Sequence, residues 1–147
     1  MGRGQDLLDA ARKGDERSVE KILGQITKRS GPFTSLRRGA GVNVQDENGY
    51  TPLHHACLRG HKDIVRLLLS VDASPCVVDK KGATPLHLAA WKGDSDIVTM
   101  LLAHNNPPVN VNQVTLDQET ALLMAAQFGF VNVVAQLIAH GADVTIR

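Results

Sequence analysis

Short apolar stripes at helical spacing recur along the chain. Ile64-Val65 with Leu68-Leu69, Ile97-Val98 with Leu101-Leu102, and Val133-Val134 with Leu137-Ile138 each put four apolar side chains on one helix face. A segment of smaller residues precedes each stripe: Thr51-Pro52-Leu53-His54-His55-Ala56, Thr84-Pro85-Leu86-His87-Leu88-Ala89, and Thr120-Ala121-Leu122 with Ala125-Ala126. A Thr at the start can accept a backbone N–H, and Pro suits the first helical position, where an N–H would be unpaired anyway. Gly60, Gly93 and Gly129 stand where such a helix should stop, because a left-handed residue is cheap only for Gly. Asp46-Glu47-Asn48-Gly49 and Asp79-Lys80-Lys81-Gly82 read as hairpin-type turns ahead of the first helix. The pattern predicts a repeated unit of one turn and two antiparallel helices.

The spacing of the units is regular. Thr84 follows Thr51 by 84 − 51 = 33 residues, and Thr120 follows Thr84 by 120 − 84 = 36, so about three extra residues lie between Asn105 and Thr115. A degenerate first copy reads Leu7-Leu8, Ala10-Ala11, Gly14, Val19 and Ile22-Leu23. Gly14 to Gly60 is 60 − 14 = 46 residues, an insertion of 46 − 33 = 13, which the Gly-, Ser-, Pro- and Arg-rich stretch 27–41 accommodates as a surface loop. The repeats are expected at about 5–28, 46–78, 79–111 and 115–147, within one domain spanning 1–147. A single unit cannot bury its own apolar face, whereas a stack can, so the expected fold is an all-α solenoid.

The unit resembles the ankyrin repeat, a 33-residue pattern with Thr-Pro-Leu-His-x-Ala-Ala. The resemblance covers nearly the whole chain outside the loop. Copies two and three match closely. Copy one lacks the Thr-Pro start and is expected to be the N-terminal cap. Copy four departs at Leu123 and Phe130, where the pattern has His, and at Gln118, where it has the hairpin Gly. A narrower resemblance lies in the opening Met1-Gly2, Gln5-Asp6-Leu7-Leu8, Gly49-Tyr50-Thr51-Pro52-Leu53-His54-His55-Ala56, Ala89-Ala90-Trp91-Lys92-Gly93-Asp94 and Asp117-Gln118-Glu119-Thr120. These segments look like the N-terminal ankyrin block of adaptors that also carry sterile-alpha-motif and phosphotyrosine-binding domains. Neuronal scaffolds pairing ankyrin repeats with an SH3 domain start similarly. Members of the first family are cytoplasmic adaptors in tyrosine-kinase signalling, and the domains that bind phosphotyrosine are not in this sequence. His140-Gly141-Ala142-Asp143-Val144 leads into another hairpin without a polar closing helix, so a truncated array is expected, with further repeats or domains after Arg147. Val131, Val134, Leu137, Leu122 and Met124 should then partly face solvent.

Composition narrows the function classes. The 16 Lys+Arg against 15 Asp+Glu give a net charge of +1, without the basic excess of a dedicated nucleic-acid binder. Hydrophobic residues make up 43% of the chain, too many for a disordered one. No apolar run approaches the length of a membrane span, and the polar start is unlike a secretory signal. Asp6 stands where a myristoylation motif wants Ser or Thr. Two cysteines, Cys57 and Cys76, cannot make a disulfide framework, and no Asn-x-Ser/Thr sequon occurs, which fits a reducing cytoplasmic setting.

Catalytic signatures are missing. There is no P-loop, no dinucleotide fingerprint and no Gly-x-Ser-x-Gly elbow. His54, His55, Cys57 and His61 superficially suggest a zinc cluster. On a helix, however, His54 and His55 diverge by about 100°, and no second knuckle pairs with them. The structural reading is favoured: His54 and His87 bond neighbouring backbone and tie adjacent turns together, while His104 and His140 end helices in the open. Asp63, Asp94 and Asp96 suit the positive ends of second helices. The chain is read as a non-enzyme with no cofactor and no metal.

In an ankyrin array the turn tips and first helices line a concave face, so the resemblance implies where a partner would sit. The corresponding positions are Arg12 and Lys13 in copy one, and Glu47, Asn48, Tyr50, Leu58 and Arg59 in copy two. Copy three supplies Lys80, Lys81, Ala83, Trp91 and Lys92, and copy four Leu116, Asp117, Glu119, Gln127 and Phe128. Tyr50, Trp91 and Phe128 are three of five aromatics, and Tyr, Trp and Arg dominate binding hot spots. Together with Arg12, Lys13, Arg59 and Lys92 they suggest a basic, aromatic groove for a protein or peptide partner, acidic or phosphorylated. The plain alternative is that Trp91 packs on its neighbour and the basic residues are only solvated. Residues 1–41 carry nine Lys/Arg and five Asp/Glu, so Lys28, Arg29, Arg37 and Arg38 could make weak contact with anionic lipid, although a solvated loop is the simpler reading. The expected function is a non-catalytic interaction module of a cytoplasmic signalling adaptor. The rivals are a stand-alone inhibitor clamping an enzyme such as a kinase, and an oligonucleotide binder using Trp91 and Phe128 to stack on bases.

Overall fold

The computed structural model describes residues 3–28, 41–104 and 108–144, so the expectations for Arg29, Arg37 and Arg38 lie outside the described residues. Four helix pairs follow one another: α1 (Arg3–Lys13) with α2 (Glu16–Lys28), α3 (Pro52–Arg59) with α4 (Lys62–Ser70), α5 (Pro85–Lys92) with α6 (Ser95–Ala103), and α7 (Ala121–Gln127) with α8 (Val131–Ala139). First helices stack in one row, α1 on α3 on α5 on α7, and second helices in a parallel row, α2 on α4 on α6 on α8. This is an all-α repeat solenoid.

Each unit is built as its sequence dictates. Thr51, Thr84 and Thr120 cap α3, α5 and α7, accepting the backbone N–H three residues on. Gly60, Gly93 and Gly129 take φ of 74°, 80° and 74°, the left-handed turn that sends the chain into the second helix. Ala56, Ala89, Ala90 and Ala125 are fully buried, and their small side chains let the first helices approach closely. Leu53, Leu86, Ile64, Ile97, Leu68, Leu101 and Leu137 fill the space between the rows. Truncating one such leucine to alanine costs about 2–5 kcal/mol.

The turns before the first helices close as short hairpin-type loops. Asp46, Asp79 and Thr115 each donate N–H to the carbonyl four residues on and accept from the N–H three residues on. No strand forms among the described residues. Adjacent tips are joined by Lys80 N–H to the Asn48 carbonyl and Leu116 N–H to the Lys81 carbonyl. The Gly49 Cα therefore lies against the next tip: a Cβ there would sit 2.8 Å from the Lys80 nitrogen.

Two sequence expectations change. Leu137 and Leu122 are buried rather than partly solvated, because α7 and α8 pack on each other and back onto α5 and α6. The large apolar residues left open at this end include Val131, 75% exposed, Ile138 and Val144. Met124 and Val134 are half-buried. His104, expected in the open, is half-buried at the end of α6, whereas His140 is exposed with Nδ1 2.9 Å from the Gln136 carbonyl oxygen.

Candidate functional site

The turn tips and the outward sides of α1, α3, α5 and α7 form one face with two hollows. The larger, of about 550 Å³, lies over α3, α5 and α7. Its lining combines half-buried Leu58, Leu88 and Met124, the rings of Tyr50, Trp91 and Phe128, and the charged side chains of Asp79, Lys81, Asp117 and Glu119. The smaller, of about 500 Å³, lies over α1 and α3 and includes Arg12, Arg59, Asp9, Asp46, Glu47, Asn48 and His55. Tyr50 borders both hollows.

The aromatic residues gather although they come from three different repeats. Trp91 and Phe128 meet edge to face with centroids 6.1 Å apart, and remain 49% and 48% exposed. Phe128 also meets Phe130 at 5.9 Å. Edge-to-face rings satisfy each other's quadrupoles while leaving their outer faces open to a partner. Tyr50 is held more firmly, stacked on His54 at 5.7 Å and edge-on to His55 at 5.2 Å. Partial burial, with Asp79 and Asp46 nearby, raises its phenol pKa above the ordinary value.

Histidines fix the tips that carry these residues. His54 Nδ1 accepts the Thr51 N–H at 3.1 Å, so Nε2 carries the proton and donates to the Ala83 carbonyl at 3.0 Å. His87 repeats the arrangement with the Thr84 N–H at 3.0 Å and the Glu119 carbonyl at 3.1 Å. Burial lowers both pKa values, outweighing the carbonyl acceptors and nearby carboxylates. Copy four has Leu123 at this position, where the chain of ties ends. His55 Nε2 lies 2.8 Å from the Asp46 carboxylate. Partial burial opposes ionisation of Asp46, but the His55 ring and the Tyr50 and Asn48 N–H groups hold its pKa below the usual range. Both ring nitrogens of His54 are thus taken by backbone groups, and His55 Nε2 by the Asp46 carboxylate.

The sequence-selected residues do not all converge. Leu58, Lys81, Trp91, Glu119, Gln127 and Phe128 line the larger hollow, Arg12 and Arg59 the smaller, and Tyr50 both. Lys13, Lys80 and Lys92 are exposed but line neither hollow. The Lys92 side chain runs instead towards Gly60 of the preceding repeat. Ala83 lines the larger hollow but is buried, its carbonyl accepting from His54 and Asp79. The charge expectation is revised. Asp9, Asp46, Glu47, Asp79, Asp117 and Glu119 outnumber Arg12, Arg59 and Lys81 across both hollows, and Arg12 is drawn to Asp9 at 3.1 Å. The two hollows are aromatic and carry more carboxylates than cations, while Lys13, Lys80 and Lys92 lie exposed outside them.

Sequence reasoning passed over Leu88 and Met124. Both stand at the register of His55, since 55 + 33 = 88 and 88 + 36 = 124, and each lies one turn before Trp91 or Gln127 on the same helix side. It also passed over Thr115. Its Oγ1 accepts the N–H groups of Asp117 and Glu119, as the Asp79 carboxylate accepts those of Lys81 and Ala83.

The ankyrin-repeat family model matches three copies over residues 7–113 and a further copy over 117–147. The chain belongs to the ankyrin-repeat family. It is 49% identical to the ankyrin repeat and sterile alpha motif domain-containing protein 1B of Danio rerio, covering all of this chain and 12% of that protein. It is 46% identical to the ankyrin repeat and SAM domain-containing protein 1A of Homo sapiens, covering all of this chain and 16% of that protein. Half of the chain is 36% identical to Caskin-2 of Homo sapiens over 6% of its length. This ankyrin array therefore spans a small part of the relatives it matches, and its family places it among protein-interaction modules. Among the described residues no helix is long and apolar enough to cross a membrane.

Proposed function

We propose that the chain is a non-catalytic interaction module of a cytoplasmic signalling adaptor or scaffold, and that a partner protein or peptide docks on the face formed by the turn tips and first helices. The observation that carries this reading is the half-exposed Trp91–Phe128 pair in one hollow with the apolar Leu58, Leu88 and Met124. Large rigid rings on a preformed hollow supply binding area at small entropic cost. The partner-contacting set we propose is Arg12, Tyr50, Leu58, Arg59, Lys81, Trp91, Glu119, Gln127 and Phe128, with Lys13, Lys80 and Lys92 outside it. The relatives' far greater length supports further repeats or domains in the protein to which this array belongs. The excess of carboxylates in the two hollows weighs against an oligonucleotide partner there, which needs cations for its phosphates.

The test is affinity capture from cytosol with the wild-type chain and with Trp91→Ala and Arg59→Ala variants, each checked for unchanged helical circular dichroism. Proteins lost with Trp91→Ala place recognition on the larger hollow, and those lost with Arg59→Ala on the smaller. Identical capture by all three removes this face from consideration.

A further inference from the structure

We propose that the hollow around Trp91 and Phe128 receives a Lys or Arg side chain, with an apolar neighbour, from a basic segment of a partner protein. The proposal rests on the docking reading above and gives the partner its chemistry. Three features of the hollow converge on it. Its Leu58, Leu88 and Met124 are apolar and suit an aliphatic side chain or the methylene stem of a long cation. Its lining includes the half-exposed rings of Trp91 and Phe128, and an aromatic face attracts positive charge and repels negative. It carries Asp79, Asp117 and Glu119 against the single cation Lys81.

The carboxylates differ in their commitments. One oxygen of Asp79 already accepts the N–H groups of Lys81 and Ala83 at 2.8 and 2.9 Å, which fixes the tip. Asp117 is exposed and Glu119 half-buried, and no ion pair forms on either among the described residues. An incoming guanidinium can stack on a ring and donate to one of these carboxylates at once, and it is weakly hydrated, so little is lost on leaving water. A phosphate or carboxylate in the same place would meet three like charges and two aromatic rings against the one cation Lys81. The adjoining hollow does not reverse this sign, because Asp9, Asp46 and Glu47 accompany Arg12 and Arg59 there.

Trp91 is the only tryptophan in the chain and lies in the hollow, so its fluorescence reports occupancy directly. Two pools of short, end-capped peptides are titrated into the protein at low salt. Both randomise apolar residues around one fixed centre, which is Arg in the first pool and Glu or phosphoserine in the second. The expected result is a saturable change in Trp91 emission with the Arg pool at about tenfold lower concentration than with the anionic pool, the scale of one exposed cation–π contact and one screened ion pair. Asp117→Asn combined with Glu119→Gln, with unchanged circular dichroism, should remove most of that preference. Equal response to both pools, tighter response to the anionic pool, or an Arg preference untouched by the double variant overturns the cation assignment while leaving docking on this face intact. No response to either pool overturns both.

Discussion

His54 Nε2 donates to the Ala83 carbonyl at 3.0 Å, across 29 residues of sequence, and so ties the first helix of one repeat to the turn of the next. The same ring takes the Thr51 N–H on its other nitrogen, so one buried side chain closes its own helix cap and fixes its neighbour's position. Replacing His54 by Ala leaves the buried Thr51 N–H without a partner, leaves the Ala83 carbonyl only its bond from the Asp79 N–H, and opens space beneath Tyr50. We expect a loss of about 3 kcal/mol in urea unfolding, from lost hydrogen bonds and lost packing together. A loss below about 1 kcal/mol would mean the tie adds nothing to the stack.

The same histidines set a pH dependence. In the fold His54 and His87 have pKa values lowered by burial from the ordinary value of about 6.5. The unfolded chain therefore takes up their protons first as pH falls. Their contribution is fully present above pH of about 6.5 and is lost on acidification towards the lower folded values, at up to about 1.4 kcal/mol per pH unit for each ring. Unfolding midpoints measured between neutral and mildly acidic pH should fall, and His87→Asn should flatten the slope. A midpoint that rises over this range would contradict the sign.

Gln118 occupies the turn position that Gly49 and Gly82 hold in earlier repeats, and adopts φ of 64° against their 82° and 80°. A left-handed non-glycine residue is strained, and Gln118 is exposed, so no packing offsets the strain. Gln118→Gly should stabilise the chain by about 0.5–1 kcal/mol in chemical denaturation. The reverse change, Gly82→Ala, combines positive φ with a Cβ 3.0 Å from the Leu116 nitrogen, and should destabilise by about 2 kcal/mol or more.

Gly93 ends α5 beneath the Phe130 ring, where an added Cβ would come within 2.8 Å of three ring carbons. Gly14 stands in the same relation to the His61 ring at 2.7 Å, so Phe130 replaces His without changing the packing role. Gly93→Ala should cost about 2–3 kcal/mol and displace Phe130 from Phe128, visible as altered Trp91 emission. Unchanged stability and emission would show that the ring moves aside freely.

Trp91→Ala separates stability from recognition. The side chain is half exposed and meets mainly Phe128, so thermal unfolding should shift by no more than about 1 kcal/mol in equivalent stability. Affinity for a captured partner should fall at least about tenfold, as expected for a hot-spot ring. A large stability loss with unchanged affinity would instead make Trp91 a packing residue.

The sequence alone determined the repeating unit, its helices and their stops. Those features depend on interactions over a few residues: Thr51 reaches the N–H three positions on, and Gly60 tolerates a left-handed turn. Periodicity made the stacking legible, because every copy presents the same unburied stripe. Tertiary structure decided what depends on rotation at the helix ends and on contacts a whole repeat apart. Arg59 and Phe128 turn into the face while Lys13 and Lys92, at the same register, line neither hollow. Leu137 turns inward and Val131 outward on α8. The charge of the hollows was the least legible, since the carboxylates that fix the turns, Asp46 and Asp79, also border them and offset the Arg and Lys row. Spacing shows which residues recur, but only the packed stack shows which of them share one volume.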